Sequence, residues 1–473
     1  MTPGEGLKPV DPATNPRLSG RMAPVHDECD TTELSVEGEI PRDVHGTYMR
    51  NGPNPKFPPL GSYTFPLDGD GMVHAVTIDD GKVRYRNRFV ETLGLRSEER
   101  AGGAIYGGIL TPSFPDKSLL GPEPDPNWPF KASPFINVLR HDGRYLAFDE
   151  AAQPYELTAD LETVGSCDFG SAIPRGTCAH PRIDPATGEM VLFTYAFDEP
   201  FLTWEAVGRD GTVTVSPRVV DGVDRPHMVH DCTITPEHLV LVVAPVVFDP
   251  DAIAGGGGDV LAWKPELGTR IAVVARADGT VRWIDTDAFW VWHFANAFAD
   301  GHELVVDFPW ISRFNLHGAM DEPATTKVVR LRLDPDRGRA DFETLDDRLT
   351  EFPRIDDRLT GRKHRYFAVA HRSNRAGITD TDWDALVRYD TERGTSEVRP
   401  GNGEVFGEPA FAPREGSTGE TDGYWMTFTN SLTDDTSWFV ILDADDITAD
   451  PVARVRMPQR VPRGLHGNWI PAT

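Results

Sequence analysis

The chain has 473 residues, 39% of them hydrophobic and 10% aromatic, which is enough apolar material for a large core. Its 74 acidic side chains outnumber 47 basic ones, giving a net charge of −27, and no basic block meets the requirement for binding phosphates, which argues against a nucleic-acid partner. The 44 glycines and 40 prolines rule out long helices, no apolar run is long enough to cross a membrane, and four cysteines without a Cys-x-x-Cys pair form neither a disulfide framework nor a zinc knuckle.

Residues 1–24 are polar and rich in Pro and Gly; they read as a flexible arm with no apolar segment of the signal-peptide kind, so a cytoplasmic location is expected. The remainder, 25–473, reads as one domain. Along it, turn signals recur between strand-like runs, as in "IDDGKVRYRNRFV", "RHDGRYLAFDE", "RDGTVTVSPRVV", "ADGTVRWI" and "ADGHELVVDF". Each joins an Asp-Gly turn to alternating β-branched or aromatic residues, the signature of a hairpin. So many hairpins with so few helical stretches predict a closed all-β assembly, and a propeller disposes of its sheet edges well at this size. The best helical segment is 97–108, "SEERAGGAIYGG". Two insertions interrupt the hairpins: the proline-rich 111–135, and 249–268 with four consecutive glycines. Loops of this length serve as lids or binding surfaces in compact domains.

Seven of the fourteen histidines (His26, His45, His141, His238, His302, His364 and His371) sit among charged or turn residues and are expected at the surface. Four are different. His180, His230, His293 and His466 are each embedded in apolar or small residues at a strand-like run. They lie too far apart for a local metal loop and converge only if strands from the whole chain point at one axis, as in a propeller. Neutral imidazoles suit iron, copper or zinc, and each needs its second nitrogen held, for which Glu150, Glu351 and Glu408 are candidates.

The stretches "GTYMRNGPNPKF", "FPLDGDGMVHAV", "AHPRIDPATGE", "MVHDCTIT", "WHFANAF", "GEPAFAPR" and "LHGNWIP" occur in this order from about residue 46 to 471. Together they resemble the carotenoid cleavage oxygenases, a family of carotenoid, apocarotenoid and lignostilbene dioxygenases and a retinoid isomerase. The resemblance implies a seven-bladed β-propeller with a helical and loop dome over the metal-bearing face. It implies a non-haem Fe(II) held by His180, His230, His293 and His466. Glu150 would support His230, Glu351 would support His293 and Glu408 would support His466, leaving His180 without a carboxylate. His74, inside "LDGDGMVH", is implied to be structural. The implied reaction is the scission of a C=C bond by O2 into two carbonyl products, with the iron and O2 doing the chemistry and no side-chain base required.

For the substrate, lignostilbene-type relatives carry a lysine directly before the first supporting glutamate and a tyrosine in the loop after the helix, both engaging a phenol. Here those positions are Asp149 and Ile109, with Tyr106 three residues earlier and Lys131 available from the insertion. That favours a carotenoid or apocarotenoid over a stilbenoid or phenylpropene, the alternative class. Phe130, Phe135, Ile136, Trp292, Phe294 and Phe298 are candidate tunnel residues. Ile136 also replaces a threonine that many relatives place near the metal. Leu119, Leu120, Trp128, Phe130, Val260, Leu261 and Trp263 are candidates for peripheral contact with a membrane surface. No protein partner is called for. A non-catalytic propeller scaffold is the remote alternative, disfavoured because all four histidines and all three glutamates are retained.

Overall fold

The computed structural model describes residues 6–123, 125, 127, 129–150, 152–249, 260–314 and 324–472, and in it the hairpins close into seven antiparallel blades. Blades 2, 3, 5 and 6 are four-stranded meanders over 137–166, 182–219, 296–346 and 350–400. Blade 4, 232–286, is interrupted by a small hairpin, Val246–Phe248 with Leu261–Trp263, carrying the end of the glycine-rich insertion. The turns are as the sequence requires: Asp80-Gly81 (φ 45° and 72°) and Asp142-Gly143 (φ 50° and 72°) place two successive residues in the left-handed region, matching a hairpin's twist. The glycine run itself, 255–258, and Trp128 lie outside the described residues.

The ring closes twice. Blade 1 takes its innermost strand from the C-terminus: Gly467–Pro471 pairs with Gly46–Arg50, in register from Gly46↔Pro471 to Arg50↔Gly467. Blade 7, built on Gly423–Ser431, Ser437–Asp443 and Ala453–Arg456, takes an outer strand from the N-terminal part, Val36–Gly38. Upstream of that strand, Leu18 is buried and Arg17 pairs with Asp380 at 2.5 Å, so residues expected as an arm contact the body.

Blade faces press on each other. Met190–Tyr195 and Leu202–Val207 are buried at every position, whereas the outer strand Thr395–Pro400 is largely exposed. A single large cluster joins blades 2 to 5, and a second, around Tyr48, Phe428, Phe439 and Trp469, welds blade 7 to blade 1 across the closure.

The helix differs from expectation. α1 covers Leu93–Ala101, opened by Thr92, whose Oγ1 accepts from Leu95 N, and stopped by Gly102 at φ 73°. The paired glycines that looked helix-compatible are its terminator. Beyond them the chain is tied to Glu98 Oε1, which accepts from the amides of Ile105 and Tyr106 at 3.1 and 3.4 Å. Two histidines expected at the surface are buried. His141 donates from Nε2 to Gly188 O at 3.0 Å, and the fully enclosed His364 places Nε2 3.1 Å from Asp307 Oδ2. Both lie at blade junctions, where a charged local sequence is covered by the next blade. His74 is buried and bonded to the Tyr85 hydroxyl at 2.8 Å. The four cysteines are free thiols.

Candidate metal centre

The loops entering the innermost strands meet at the propeller axis, and the four selected histidines occupy four of these entries. His180 precedes Arg182–Ile183 of blade 3, His230 precedes Cys232–Ile234 of blade 4, His293 precedes Asn296–Asp300 of blade 5, and His466 precedes Gly467–Pro471 of blade 1. Their imidazoles converge. Nε2 of His230 lies 3.2 Å from Nε2 of both His180 and His293, and ring nitrogens of His180, His293 and His466 all fall within 4.8 Å of one another.

The other three blades supply the carboxylates. Glu408, from blade 7, accepts from His466 Nδ1 at 3.0 Å and from Gly467 N at 2.7 Å. Glu351, in the inner strand of blade 6, accepts from His293 Nδ1 at 2.5 Å and from Phe352 N at 2.6 Å. Glu150, two residues past the blade 2 strand Arg144–Phe148, sits 2.9 Å from His230 Nδ1, bent away from a linear hydrogen bond, and accepts from the Tyr195 hydroxyl at 2.8 Å. Among the described residues no carboxylate hydrogen-bonds to His180. Holding Nδ1–H on a carboxylate fixes the tautomer and turns the Nε2 lone pair inward.

Burial, then the neighbouring imidazoles with His466 first, holds His180 and His293 well below the ordinary histidine range. Burial also pulls His230 down, but Glu150 outweighs it and the net direction is up. Desolvation lifts Glu351 to about 8. Glu408 resists the same burial because His466 and Arg354 face it, and falls to about 2. Burial thus favours the uncharged imidazole at His180 and His293.

Several supporting residues carry no sequence signal. Asp231 accepts from Arg182 Nη2 at 2.7 Å and from Phe294 N at 2.8 Å, tying together the loops that bear three of the histidines. Arg354 reaches Glu408 at 3.1 Å and Asn468 Oδ1 at 2.9 Å. Ile136 O accepts from His466 N at 3.1 Å, so the residue replacing the relatives' threonine fixes a histidine loop through its backbone. Close approach explains the flanking glycines of "GLHG". A Cβ on Gly464 would lie 2.8 Å from Asn51 O, and one on Gly467 would lie 2.5 Å from the Tyr48 hydroxyl.

Two cavities reach this centre. One, of about 570 Å³, opens along the axis and is lined by His180, His293 and His466 with Arg354 and Asn468. The other, of about 670 Å³, lies under the loops of the dome and touches Ile136, Glu150, Tyr195 and Met228. Of the candidate tunnel residues, Phe130, Phe135 and Ile136 line this second cavity and Phe294 the axial one. Trp292 packs edge-on against His230 at 4.9 Å. Phe298 is placed elsewhere, inside blade 5 against His364 and Arg330, because its strand position faces the neighbouring blade. A run of rings, Phe114, Phe130, Phe197, Phe248 and Tyr195, with successive centroids 4.8–6.3 Å apart, leads from the rim to Glu150. Leu119 and Phe130 are exposed at 46% and 44%, whereas Leu261, expected at a surface, is buried in its hairpin.

Residues 22–471 match the family model described as retinal pigment epithelial membrane protein. The chain is 33% identical to a carotenoid cleavage oxygenase of Mycobacterium tuberculosis, over 97% of this chain and 98% of that one. The chain belongs to the carotenoid cleavage oxygenase family. It is also 30% identical to an isoeugenol monooxygenase of Pseudomonas nitroreducens, over 97% and 98% of the two chains. Among solved structures, the lignostilbene dioxygenase of Pseudomonas brassicacearum superposes with a TM-score of 0.88 at 29% identity, covering 97% of this chain and 99% of that one. Cobalt-substituted Synechocystis ACO, an apocarotenoid oxygenase, gives 0.84 at 27% identity, covering 95% and 97%. With relatives named oxygenases and dioxygenases, this carotenoid cleavage oxygenase is an oxidoreductase of the dioxygenase type, and its His and Glu groups are spaced to hold a metal ion.

Proposed function

We propose that the protein is a non-haem Fe(II) dioxygenase that cleaves one C=C bond of a carotenoid or apocarotenoid into two carbonyl products. The convergence of four imidazoles, three of them oriented by glutamates, carries this reading. Two nitrogens bound at right angles to one metal at about 2.1 Å stand roughly 3.0 Å apart, close to the 3.2 Å contacts of His230. His180, His230, His293 and His466 would hold the ion, and four uncharged ligands suit Fe(II). Bound there, Fe(II) supplies the electron density that activates O2 towards an electron-rich alkene.

The chain's own part is placement. Glu150, Glu351 and Glu408 keep their histidines from rotating, while Ile136 and Met228 face the cavity beside them and keep the reacting bond dry. The aromatic run offers a flat, apolar path suited to a polyene, and Phe130, exposed within it, fits contact with an apolar membrane surface, as does the exposed Leu119. Asp149 does not replace a phenol-binding lysine, since its oxygens accept from Ser133 N at 2.5 Å and Glu150 N at 2.7 Å.

The test is reconstitution with Fe(II) under O2, with an apocarotenoid, resveratrol and isoeugenol in parallel tubes. Bleaching of the apocarotenoid is expected. Turnover of none, with iron demonstrably bound, removes the dioxygenase reading; turnover of resveratrol or isoeugenol alone reassigns the substrate. His293→Ala should abolish iron binding, and full iron stoichiometry in that variant would refute the ligand set.

A further inference from the structure

We propose that Arg182 and Asp231, with Asn137, are positioning residues that orient His180 through its main chain. The role rests on the four-histidine ligand set proposed above, whereas the contacts stand without it.

A ligand histidine keeps its lone pair aimed at a metal only if its ring is prevented from turning. Glu150, Glu351 and Glu408 do this at the Nδ1 atoms of His230, His293 and His466. At His180 the main chain is gripped instead, on both sides of the ring. Asn137 Nδ2 donates to Ala179 O at 3.0 Å, the Cys232 thiol donates to His180 O at 3.6 Å, and Arg182 is fastened by its own side chain to blade 4. With the main chain fixed, the rings of His230 and His466, whose centroids lie 4.6 and 4.5 Å away, limit the rotamer His180 can take.

Arg182 and Asp231 make the most extensive of these contacts. The Asp231 side chain is fully buried; its Oδ2 accepts from Arg182 Nη2 at 2.7 Å and Phe294 N at 2.8 Å, and its Oδ1 accepts from Cys232 N at 2.7 Å. Arg182 Nε donates to Cys232 O at 2.8 Å, and its Nη2 also donates to Phe294 O at 3.1 Å. The pair therefore holds the N–H and the C=O of both Cys232 and Phe294, which lie just beyond His230 and His293. The innermost strands of blades 3, 4 and 5 belong to separate sheets, so no backbone ladder sets their spacing. The ion pair does so, next to the histidines. A lysine at 182 would still meet Asp231 but lacks the planar fork that reaches Cys232 O and Phe294 O at the same time.

A second ion pair joins blades 3 and 4 at the other end of the same strands. Arg276 reaches Asp184 Oδ2 at 3.1 Å and Thr235 O at 2.9 Å, just past Arg182–Ile183 and Cys232–Ile234. Its side chains are 9% and 5% exposed, against 22% and 0% for Arg182 and Asp231. It braces the two blades without gripping a histidine loop, and so serves as the control for bracing alone.

Co(II) is titrated into the metal-free protein against a competing chelator, and the visible spectrum of the loaded site is recorded. Arg182→Lys should weaken Co(II) binding about tenfold and shift the visible bands, which report ligand number and geometry. Asp231→Asn should do the same; if it does not fold, the half-buried Arg182 decides. Arg276→Lys should leave the affinity within about twofold and the bands in place, while both lysine variants lose comparable stability in melts of the metal-free protein. Unchanged affinity and bands in Arg182→Lys, or an equal loss of affinity in Arg276→Lys, overturns the positioning role. His180→Ala separates this from the ligand set. Wild-type affinity and bands in that variant would refute the four-histidine set itself; a loss there with none in Arg182→Lys would refute only the positioning role.

Discussion

Deleting residues 466–473 should unfold the ring as well as remove His466, one of the four proposed metal ligands. The segment supplies the innermost strand of blade 1, five residues in continuous register with Gly46–Arg50, and it buries Trp469 and Ile470 to 7% and 6% exposure. Four or so backbone hydrogen bonds at about 1 kcal/mol each, and two large apolar side chains at about 2 kcal/mol each, come to roughly 8 kcal/mol. Glu408 would also lose His466 and Gly467 N, leaving a buried carboxylate with Arg354 as its remaining partner. A folded domain has about 5–15 kcal/mol in hand, so most of the stability would go. The unpaired edge at Gly46–Arg50 should favour aggregation. Soluble yield, a circular-dichroism melt and iron per chain measure the three consequences. A truncated protein that is soluble and melts within about 5 °C of the full chain would refute the claim that the C-terminal strand closes the ring.

Tyr195→Phe keeps the ring wall but removes the donor to Glu150, and Fe(II) affinity should fall about tenfold in competition with a chelator; an unchanged affinity would show that Glu150 needs no second anchor. Glu205, buried in blade 3 with one oxygen on Thr194 and the other unpartnered, has its carboxyl raised by burial to about 7 from 4.5. The folded state then binds the proton more tightly than the unfolded one, so this group's contribution worsens as pH rises from about 4.5 to 7. Glu205→Gln should therefore gain on the wild type across that window, levelling off at about 3 kcal/mol in urea melts, and a difference independent of pH would contradict it. Gly467→Ala should cost about 1–3 kcal/mol by driving a methyl group into the Tyr48 hydroxyl, and Tyr48→Phe should recover part of the loss; simple additivity of the two would place the strain elsewhere.

The propeller was legible because hairpins announce themselves locally. Asp80-Gly81 and Asp142-Gly143 need left-handed backbone that few other pairs adopt, and the alternating residues beside them turn one face inward. The four histidines stood out through their apolar settings, and the glutamates through the family resemblance. What was hidden depends on contacts between blades. Tyr195, Asp231 and Arg354 look like ordinary strand or turn residues, and their partners are tens of positions away. His141 and His364 were misplaced for the same reason: a polar neighbourhood along the chain says nothing about the blade that covers it. The helix starts upstream of the segment 97–108 that its composition suggests and stops within it, because Gly102 of "AGG" ends it.

The division of labour around the axis bears on how the protein is made. Blades 1, 3, 4 and 5 bring histidines and blades 2, 6 and 7 bring glutamates, so no blade is idle, and the last histidine is the eighth residue from the end of the sequence. A chain emerging from the ribosome has three of its histidines outside long before the fourth is translated, and three imidazoles on unclosed blades are not a site. The proposed metal site therefore cannot assemble until Gly467–Pro471 has closed blade 1 against Gly46–Arg50. In a protein of this design, a bound metal would report that the ring is closed.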